Sequence, residues 1–226
     1  MPNPALAETC LVLMLKAPGR SKRRLARELG DAAAAEAAAR LAGCALEDVA
    51  DWPGGACLAP AEESDLEWLR RQVTGQTVVM QRGGNLGERI NHVNRELHRR
   101  GVPRQLFIGI DCPELDQAYL RRAAACLMEY DAVLCPADDG GVVLMGTRRP
   151  WPDLGGLPWS TDSLHVALRA LCEAEGFTVA ALEPRTDIDT LADLAEIEHR
   201  LGSDRRPARQ ALIGWLACIA RKRDHR

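Results

Sequence analysis

The chain has 226 residues and a net charge of −3, and 46% of its residues are hydrophobic against 27% charged. That length and balance fit one globular domain with a sizeable core, and the slightly acidic charge argues against a general nucleic-acid binder, whose surface is normally basic. No stretch is long and apolar enough to cross a bilayer, and the first residues lack the pattern of a secretory leader, so we expect a cytoplasmic protein.

In chain order, short apolar runs alternate with segments rich in helix-forming residues. Runs that are apolar throughout are typical of strands buried on both faces of a parallel sheet, and strands are predicted at 10–15, 56–59, 77–80, 105–110, 132–135, 142–145 and 177–182. Helices are predicted at 25–51, 62–73, 86–100, 118–130 and 191–201, with one more that Ser160 or Thr161 caps and that runs to about residue 175. This alternation predicts an α/β fold, a mostly parallel wound sheet flanked by helices, with a small hairpin formed by 132–135 and 142–145.

The last residues of the chain form a separate predicted element. We expect one domain over 1–202 and an amphipathic helical tail over 203–226, because 203–207 has the composition of a hinge. Behind this hinge, apolar residues recur at helical spacing, at Leu212, Ile213, Leu216 and Ile219. The tail can pack on the domain, pack on a second copy in a homodimer, or rest on an anionic membrane surface. Packing is favoured, since most amphipathic helices of soluble proteins face a core.

A basic loop follows the first predicted strand. Positions 16, 20, 22, 23 and 24 place five Lys and Arg residues in one strand-to-helix turn. Gly19 permits close approach of the backbone to a ligand, and the following helix offers free N–H groups at its positive end. This combination suits a polyphosphate; the alternative is a solvated basic start of a helix.

Carboxylates follow two later strands. Asp111 leaves a buried strand at a turn fixed by proline, where its carboxylate can ligate a hard cation such as Mg²⁺ or Mn²⁺, or serve a turn or a helix cap. Asp187 and Asp189 point to one side if their segment is extended, which is costly unless a cation or solvent lies between them. The alternative is that Asp189 or Thr190 caps the next helix.

Two glycine-containing loops complete the candidate site. After Asp139, the glycines at 140 and 141 let a substrate lie directly on the backbone, although Asp-Gly is also a common hairpin turn. The segment 81–89 contains three glycines between polar ends. It can wrap a base or a ribose, and the alternative is a flexible connector.

In this order, the motifs resemble those of one group of bacterial proteins, the glycosyltransferase-like proteins related to molybdopterin and phospholactate guanylyltransferases. The similar motifs are Lys-Ala-Pro at 16–18, the glycine-rich segment at 81–89, Ile-Gly-x-Asp-Cys-Pro at 108–113, Asp-Gly-Gly at 139–141, Trp-Ser-Thr at 159–161 and Asp-Ile-Asp-Thr at 187–190. The resemblance covers residues 11–201, nearly the whole chain. It implies the nucleotide-diphosphosugar transferase fold, which is similar to that of glycosyltransferase-A enzymes.

The resemblance also implies a role for each motif. Nucleotide binding is expected at Lys16, Gly19, Lys22, Arg24, Gln81, Gly87 and Arg89. Ligands of Mg²⁺ or Mn²⁺ are expected at Asp111, Asp187 and Asp189. Contacts to the acceptor substrate are expected at Gly140, Gly141, Trp159, Ser160 and Thr161, and catalytic roles at Asp111 and Asp139.

The leading hypothesis is a metal-dependent glycosyltransferase that uses a nucleotide-diphosphate sugar and a small-molecule acceptor. A nucleotidyltransferase is the alternative enzyme, which would join a nucleoside triphosphate to a small phosphorylated acceptor and release pyrophosphate. Both reactions need the same phosphate and metal site, because each neutralises a leaving phosphate group. A nucleotide-binding regulatory protein without catalysis is the third hypothesis.

Overall fold

A computed structural model describes residues 4–19 and 22–224 of the chain. The strands are β1 Thr9–Leu15, β2 Ala56–Pro60, β3 Thr77–Val78, β4 Arg104–Ile108, β5 Ala132–Pro136, β6 Val142–Thr147 and β7 Val179–Ala181. The helices are α1 Pro4–Ala7, α2 Arg23–Leu29, α3 Asp31–Asp51, α4 Glu63–Arg70, α5 Leu86–Arg99, α6 Gln117–Glu129, α7 Leu164–Ala174, α8 Leu191–Arg200 and α9 Pro207–Asp224. Within these residues, no helix is both long and apolar enough to span a membrane.

The strands form one seven-stranded sheet in the order β3-β2-β1-β4-β6-β5-β7. All neighbouring pairs are parallel except those of β6, which runs antiparallel to both β4 and β5. The predicted wound α/β sheet and its β5–β6 hairpin are therefore confirmed. Because the other strands run in one direction, the loops after β1, β4, β5 and β7 leave the sheet at one edge, where ligands bind in folds of this type.

Alternate residues of the central strand β1 face opposite layers of the core. Leu11 and Leu13 belong to a buried cluster with apolar residues of α3 and α6. Val12 lies on the other face, in a cluster with residues of α5 and α7. This alternation follows from the two-residue period of a strand, and it explains why the strand is apolar throughout.

A third buried cluster, the helical cluster, joins several helices and contains no residue of the described strands. Leu25 of α2, Leu41 of α3, Leu194 of α8 and Leu212 of α9 are all fully or almost fully buried in it. In this structure α9 therefore packs on α3 and α8 of its own chain. This layer covers the start of α2, which follows the basic loop.

The predicted helix over 25–51 is wrong in one respect, since two helices, α2 and α3, occupy this region. Gly30 separates them with φ = +85°. A residue with a side chain rarely adopts that backbone region, whereas glycine does so freely. Strong helix formers on both sides of Gly30, mainly Leu, Arg and Glu before it and Ala after it, favour helix and conceal the break.

The predicted cap of α7 is also wrong. Ser163, not Ser160 or Thr161, occupies the N-cap position of α7, and its side chain makes no capping bond. The Thr161 hydroxyl donates instead to the carbonyl of Pro158 at 2.7 Å. Ser160 has φ = +66°, so the segment before α7 is a tight turn rather than the first turn of a helix.

Candidate active site

Two of the predicted acidic segments lie side by side at this edge of the sheet. Asp111 follows β4, and Asp187 and Asp189 lie in the segment between β7 and α8. The backbone N–H of Ile188 donates to the carbonyl of Asp111 at 2.9 Å, which joins the two segments directly. Ile188 is itself fully buried in the helical cluster. The structure thus brings the three predicted metal ligands into one region.

Lys22 lies among these carboxylates. Its side chain is only 1% exposed, and its ammonium is 2.6 Å from Asp111 Oδ1 and 3.2 Å from Asp189 Oδ1. The ammonium also donates to the carbonyl of Ile188. Burial lowers the pKa of Lys22, but Asp111, Asp187 and Asp189 together raise it above its ordinary value, so the lysine stays charged. Lys22 has φ = +63°, an uncommon backbone for a residue with a side chain, which persists where several contacts hold it.

Of these three carboxylates, Asp187 has the fewest hydrogen-bond donors and ion-pair partners among the described residues. Burial, Asp111, Asp189 and Asp139 raise its pKa to about 7, and Lys22 acts in the opposite direction. No residue that the structure describes donates a hydrogen bond to its carboxylate or forms an ion pair with it. A partly buried carboxylate of this kind is unfavourable unless a positive group joins it.

The rest of the basic loop is more exposed. Lys16 directly follows β1 and is open to solvent, and Gly19 has φ = +93° with free space around its α-carbon. Arg24 is exposed, with Nη1 3.6 Å from Asp189 Oδ2. The N–H of Ala17 donates to Asp65 Oδ1 at 2.8 Å and so ties the loop to α4. Arg20 of the predicted basic cluster lies outside the described residues.

The loop at 81–89 is held by several hydrogen bonds, one of them to β2. Gln81 is buried, and its Nε2 donates to the carbonyl of Ala59 at 2.6 Å. Asn85 accepts the N–H of Glu88 and caps α5. Arg89 donates through Nε to the carbonyl of Gly83 at 3.1 Å. These bonds give the loop a defined shape beside the ends of β2 and β3.

Gly87 and Trp159, predicted to contact ligands, contact each other in the structure. A Cβ on Gly87 would lie 2.1 Å from the carbonyl oxygen of Leu154 and 2.5 Å from Nε1 of Trp159. Trp159 Nε1 donates to that same carbonyl at 2.9 Å. The glycine is therefore required for close packing, and the contact attaches the loop at 81–89 to the segment before α7.

Two groups of predicted acceptor residues, the glycine turn and the segment before α7, lie against each other. A Cβ on Gly140 would lie 2.0 Å from the carbonyl oxygen of Asp162, so the Asp-Gly-Gly turn packs directly on the segment that carries Ser160 and Thr161. Asp139 is exposed and accepts the N–H of Gly141 at 3.0 Å, as in a hairpin turn. Since its charge also acts on Asp187, the turn belongs to the same site.

A polar network that the motifs did not reveal connects these loops. Thr186 donates through its N–H to Glu114 Oε2 at 2.8 Å and through its hydroxyl to Asp138 Oδ2 at 2.9 Å. Arg200 of α8 lies 3.3 Å from Glu114 and 3.7 Å from Asp138. Thr186 and Asp138 adjoin predicted site residues in sequence, and Glu114 lies three residues after Asp111, which is the only signal that marks them. Arg200 gives no such signal.

Lys22 occupies the position between two of the predicted metal ligands. Among the residues that the structure describes, no three His, Cys, Asp or Glu side chains are arranged around a common point as ligands of a metal ion. Thr190, as one of the alternatives expected, caps α8 by accepting the N–H of Asp193. Asp189 makes no such cap, so its carboxylate is left to Lys22 and Arg24.

Comparison with known sequences places the chain in a bacterial group. Residues 44–161, just over half of the chain, match a family described as "Uncharacterized protein conserved in bacteria (DUF2064)". No curated protein matches the chain in sequence. The matched region runs from α3 to the segment before α7 and includes Asp111 and the Asp-Gly-Gly turn.

Solved structures share the fold. A protein of Desulfovibrio desulfuricans G20, provisionally assigned as a nucleotide-diphospho-sugar transferase, is 24% identical with a TM-score of 0.81, over 93% of this chain and 98% of that one. The 4-diphosphocytidyl-2C-methyl-D-erythritol synthase of Anaerococcus prevotii DSM 20548 is 13% identical with a TM-score of 0.56, over 88% and 99%. Rv0371c of Mycobacterium tuberculosis H37Rv, in complex with manganese, is 16% identical with a TM-score of 0.50, over 84% and 96%. The predicted nucleotide-diphosphosugar transferase fold is confirmed.

Proposed function

The chain belongs to the DUF2064 family, and we propose that it is a transferase that moves a glycosyl group from a nucleotide-diphosphate sugar to a small acceptor with the help of Mg²⁺ or Mn²⁺. The observation that carries this proposal is the excess of carboxylates at the edge of the sheet. Asp111, Asp187 and Asp189 share one buried ammonium, that of Lys22, and the Asp187 carboxylate has no hydrogen-bond donor among the described residues.

The donor chemistry of this group fits a divalent cation. Carboxylate oxygens are the ligands that Mg²⁺ and Mn²⁺ prefer in proteins, and a cation would compensate the charge that raises the pKa of Asp187 to about 7. Asp111, Asp187 and Asp189 would hold the ion. When bound, it would supply positive charge to the departing diphosphate.

Lysine and arginine side chains can hold the phosphates of the donor. Arg24 is exposed beside Asp189, Lys16 is exposed directly after β1, and Gly19 leaves open space for a ligand next to the backbone. Lys22 orients Asp111 and Asp189 through its ammonium and adds a positive charge close to the phosphates. The loop at 81–89, shaped by Asn85 and Arg89, then offers a surface for the base and ribose.

The acceptor side contains a carboxylate suited to proton transfer. Asp139 is exposed, and among the described residues its carboxylate accepts only the N–H of Gly141. In the proposed reaction it takes the proton of an acceptor hydroxyl as that oxygen attacks the sugar. Ser160 and Thr161 are exposed on the neighbouring segment, where their hydroxyls can orient the acceptor.

The comparisons support this proposal in two ways. The structure with a TM-score of 0.81 carries the name of a nucleotide-diphospho-sugar transferase and matches nearly the full length of the chain. The related fold from Mycobacterium tuberculosis was solved with manganese. Both agree with a site that combines a nucleotide with a divalent cation.

Nucleotidyl transfer is the second candidate, because one of the structures that share the fold is a 4-diphosphocytidyl synthase. In that reaction the same residues would bind a nucleoside triphosphate, and an acceptor phosphate would displace pyrophosphate. The phosphate and cation sites do not distinguish the two reactions. The products do, since one releases a nucleoside diphosphate and the other pyrophosphate.

The test is to incubate the purified chain with Mn²⁺, a set of nucleotide-diphosphate sugars or nucleoside triphosphates, and small hydroxyl or phosphate acceptors. Release of nucleoside diphosphate that Asp139→Asn and Asp187→Asn abolish would support glycosyl transfer. Asp51→Asn is the matched control, because Asp51 is an exposed aspartate at the last position of α3, the helix that precedes β2 in the chain. Pyrophosphate release would establish the second candidate instead, and nucleotide binding without turnover would favour a regulatory protein.

A further inference from the structure

Arg209 of α9 is a fully buried arginine outside the candidate site. Its side chain is 0% exposed, and three of its contacts are to α3. It donates to Asp48 Oδ2 at 2.6 Å, to Glu47 Oε2 at 3.0 Å and to the carbonyl of Cys44 at 2.5 Å. These contacts fasten α9 to α3.

The remaining N–H groups of Arg209 contact the loop that begins at Asp111. Nε donates to the carbonyl of Pro113 at 3.2 Å, and Nη2 donates to the carbonyl of Leu115 at 3.0 Å. Arg206, from the turn before α9, donates to the same Leu115 carbonyl at 3.1 Å and to Asp48 Oδ1 at 2.7 Å. All five N–H groups of the Arg209 guanidinium are therefore used, two of them on this loop.

The same loop is attached to the site on its other side. The carbonyl of Asp111 accepts the N–H of Ile188, and Glu114 accepts the N–H of Thr186. The loop is therefore fixed between α9 and the segment that carries Asp187 and Asp189. A displacement at Pro113 or Leu115 would move Asp111 relative to those two carboxylates.

Stability alone is a weak reason to bury this arginine. Removing a guanidinium from water is costly, and well-packed apolar side chains often replace buried ion pairs without loss of stability. What an apolar residue cannot do is hold two backbone carbonyls of a turn while it pairs with a carboxylate. The rigid fork of arginine does this, and the single ammonium of lysine does not.

We propose that Arg209, assisted by Arg206, is a positioning residue that fixes the loop carrying Asp111, so that α9 takes part in forming the cation site. This inference rests on the proposed role of Asp111 as a cation ligand. It assigns α9 a task in the active site, although α9 contributes no side chain to it.

The test compares two variants of the full chain, Arg209→Lys and Leu212→Ala, in binding of Mn²⁺ alone measured by electron paramagnetic resonance. Arg209→Lys keeps the positive charge beside Asp48 but loses the fork, and we expect Mn²⁺ affinity to fall about 10–100-fold, as when groups that orient metal ligands are removed. Leu212→Ala removes buried packing of α9 without touching the loop, so it is destabilised but keeps its affinity.

Amide exchange of Ile188 gives a second readout that needs no metal. Its N–H bonds the Asp111 carbonyl, so Arg209→Lys should speed its exchange in the folded protein and Leu212→Ala should not. If Arg209→Lys does not fold, Arg206→Gln tests the same idea, because Arg206 is 20% exposed and contacts the same carbonyl. A smaller loss in the same direction is expected.

The possible results distinguish failure of this inference from failure of the proposed function. Unchanged Mn²⁺ affinity and unchanged Ile188 exchange in Arg209→Lys would overturn the positioning role and leave the proposed transferase intact. Equal losses in Arg209→Lys and Leu212→Ala would reduce Arg209 to a stabilising residue and overturn it as well. Absence of Mn²⁺ binding by the unaltered chain would overturn the cation site and the inference together.

Discussion

Two buried charged clusters in this molecule differ in how their charges are balanced. One cluster joins α3 to α9 through Glu47, Asp48, Arg206 and Arg209, and we call it the clamp. In it, Asp48 accepts hydrogen bonds from both Arg206 and Arg209. In the site, Asp111, Asp187 and Asp189 surround the one ammonium of Lys22. Among the described residues, the buried carboxylate of Asp48 accepts two side-chain hydrogen bonds, whereas the partly buried carboxylate of Asp187 accepts none.

The pKa values show the same difference. Burial raises the pKa of Asp48 to about 6, although Arg209 and Arg206 lower it. Burial raises the pKa of Asp187 to about 7, and there Asp111, Asp189 and Asp139 add to the rise while Lys22 opposes it. A cluster whose charges are paired is complete as it folds. We propose that the cluster with surplus carboxylates becomes complete when a positive ligand binds.

The largest effect is expected in the clamp. Arg209→Met removes the main partner of the buried Asp48 and of the partly buried Glu47. Breaking a buried pair on one side costs about 3–5 kcal/mol of unfolding free energy. Urea denaturation measures the loss. Arg122→Ala is the control, because Arg122 forms an exposed pair with Glu183 that contributes little. A loss below that of Arg122→Ala by the same method would contradict the structural role of the clamp.

A smaller effect is expected for Lys22→Met. Its partners Asp111 and Asp189 keep 37% and 41% of their side-chain surface exposed. Solvent therefore compensates part of the loss, and we expect about 1.5–3 kcal/mol, the range for a hydrogen bond to a charged group. Added Mn²⁺ should recover part of this stability in Lys22→Met, and no recovery would contradict the view that a cation completes the site.

Asp131 lies at the opposite edge of the sheet, and its carboxylate accepts hydrogen bonds. The pH dependence of its contribution to stability can therefore be tested. The N–H of Thr178 is the main cause that lowers the pKa of Asp131 below its ordinary value of 3.8, and Arg148 adds to it. A depressed pKa gives stability above pH 3.8 that is lost as the pH falls through the lowered value. Asp131→Asn should cost about 0.5–1.5 kcal/mol at pH 7 and progressively less below pH 3.8. An equal cost at both pH values would show that charge is not involved.

The smallest effect has the opposite sign. Asp187→Asn removes a carboxylate that has like charges nearby and no donor among the described residues. Without divalent cations, it should leave unfolding free energy unchanged or raise it by up to about 1 kcal/mol, the scale of partly solvated charge pairs. A loss comparable to that of Lys22→Met would mean that Asp187 is a structural carboxylate like Asp48.

The fold was predictable because its signals are local. Buried strands such as β1 and β4 are apolar throughout, and the helices between them carry their own periodicity. Gly30 was missed because the strong helix formers on either side of it favour helix more strongly than one glycine opposes it. Ser160 and Ser163 are equivalent as capping residues by composition, and only the tight turn at Ser160 decides between them.

For the candidate site, the spatial grouping of the predicted residues could be expected from the sequence more than their contacts could. Asp111, Asp187 and Asp189 were expected to share a region, because their loops leave parallel strands at one edge. The burial of Lys22 between them was not, since a basic loop looks alike in sequence whether its lysine faces solvent or a carboxylate. Arg209 lay in a segment interpreted as a tail, and its partner Asp48 is 161 residues away in the chain. No pattern within a short window reports such a pair.

The most direct test of the central claim is the thermal unfolding of the unaltered chain and of Asp187→Asn, each with and without Mn²⁺. A ligand that binds only the folded state raises the unfolding temperature, and the stabilisation grows with the logarithm of the ligand concentration divided by its Kd. We predict a rise with Mn²⁺ for the unaltered chain, enlarged when a nucleotide-diphosphate sugar is added, and little or no rise for Asp187→Asn. An unfolding temperature that Mn²⁺ leaves unchanged, or raises equally in both proteins, would contradict the assignment of the surplus carboxylates as a cation site.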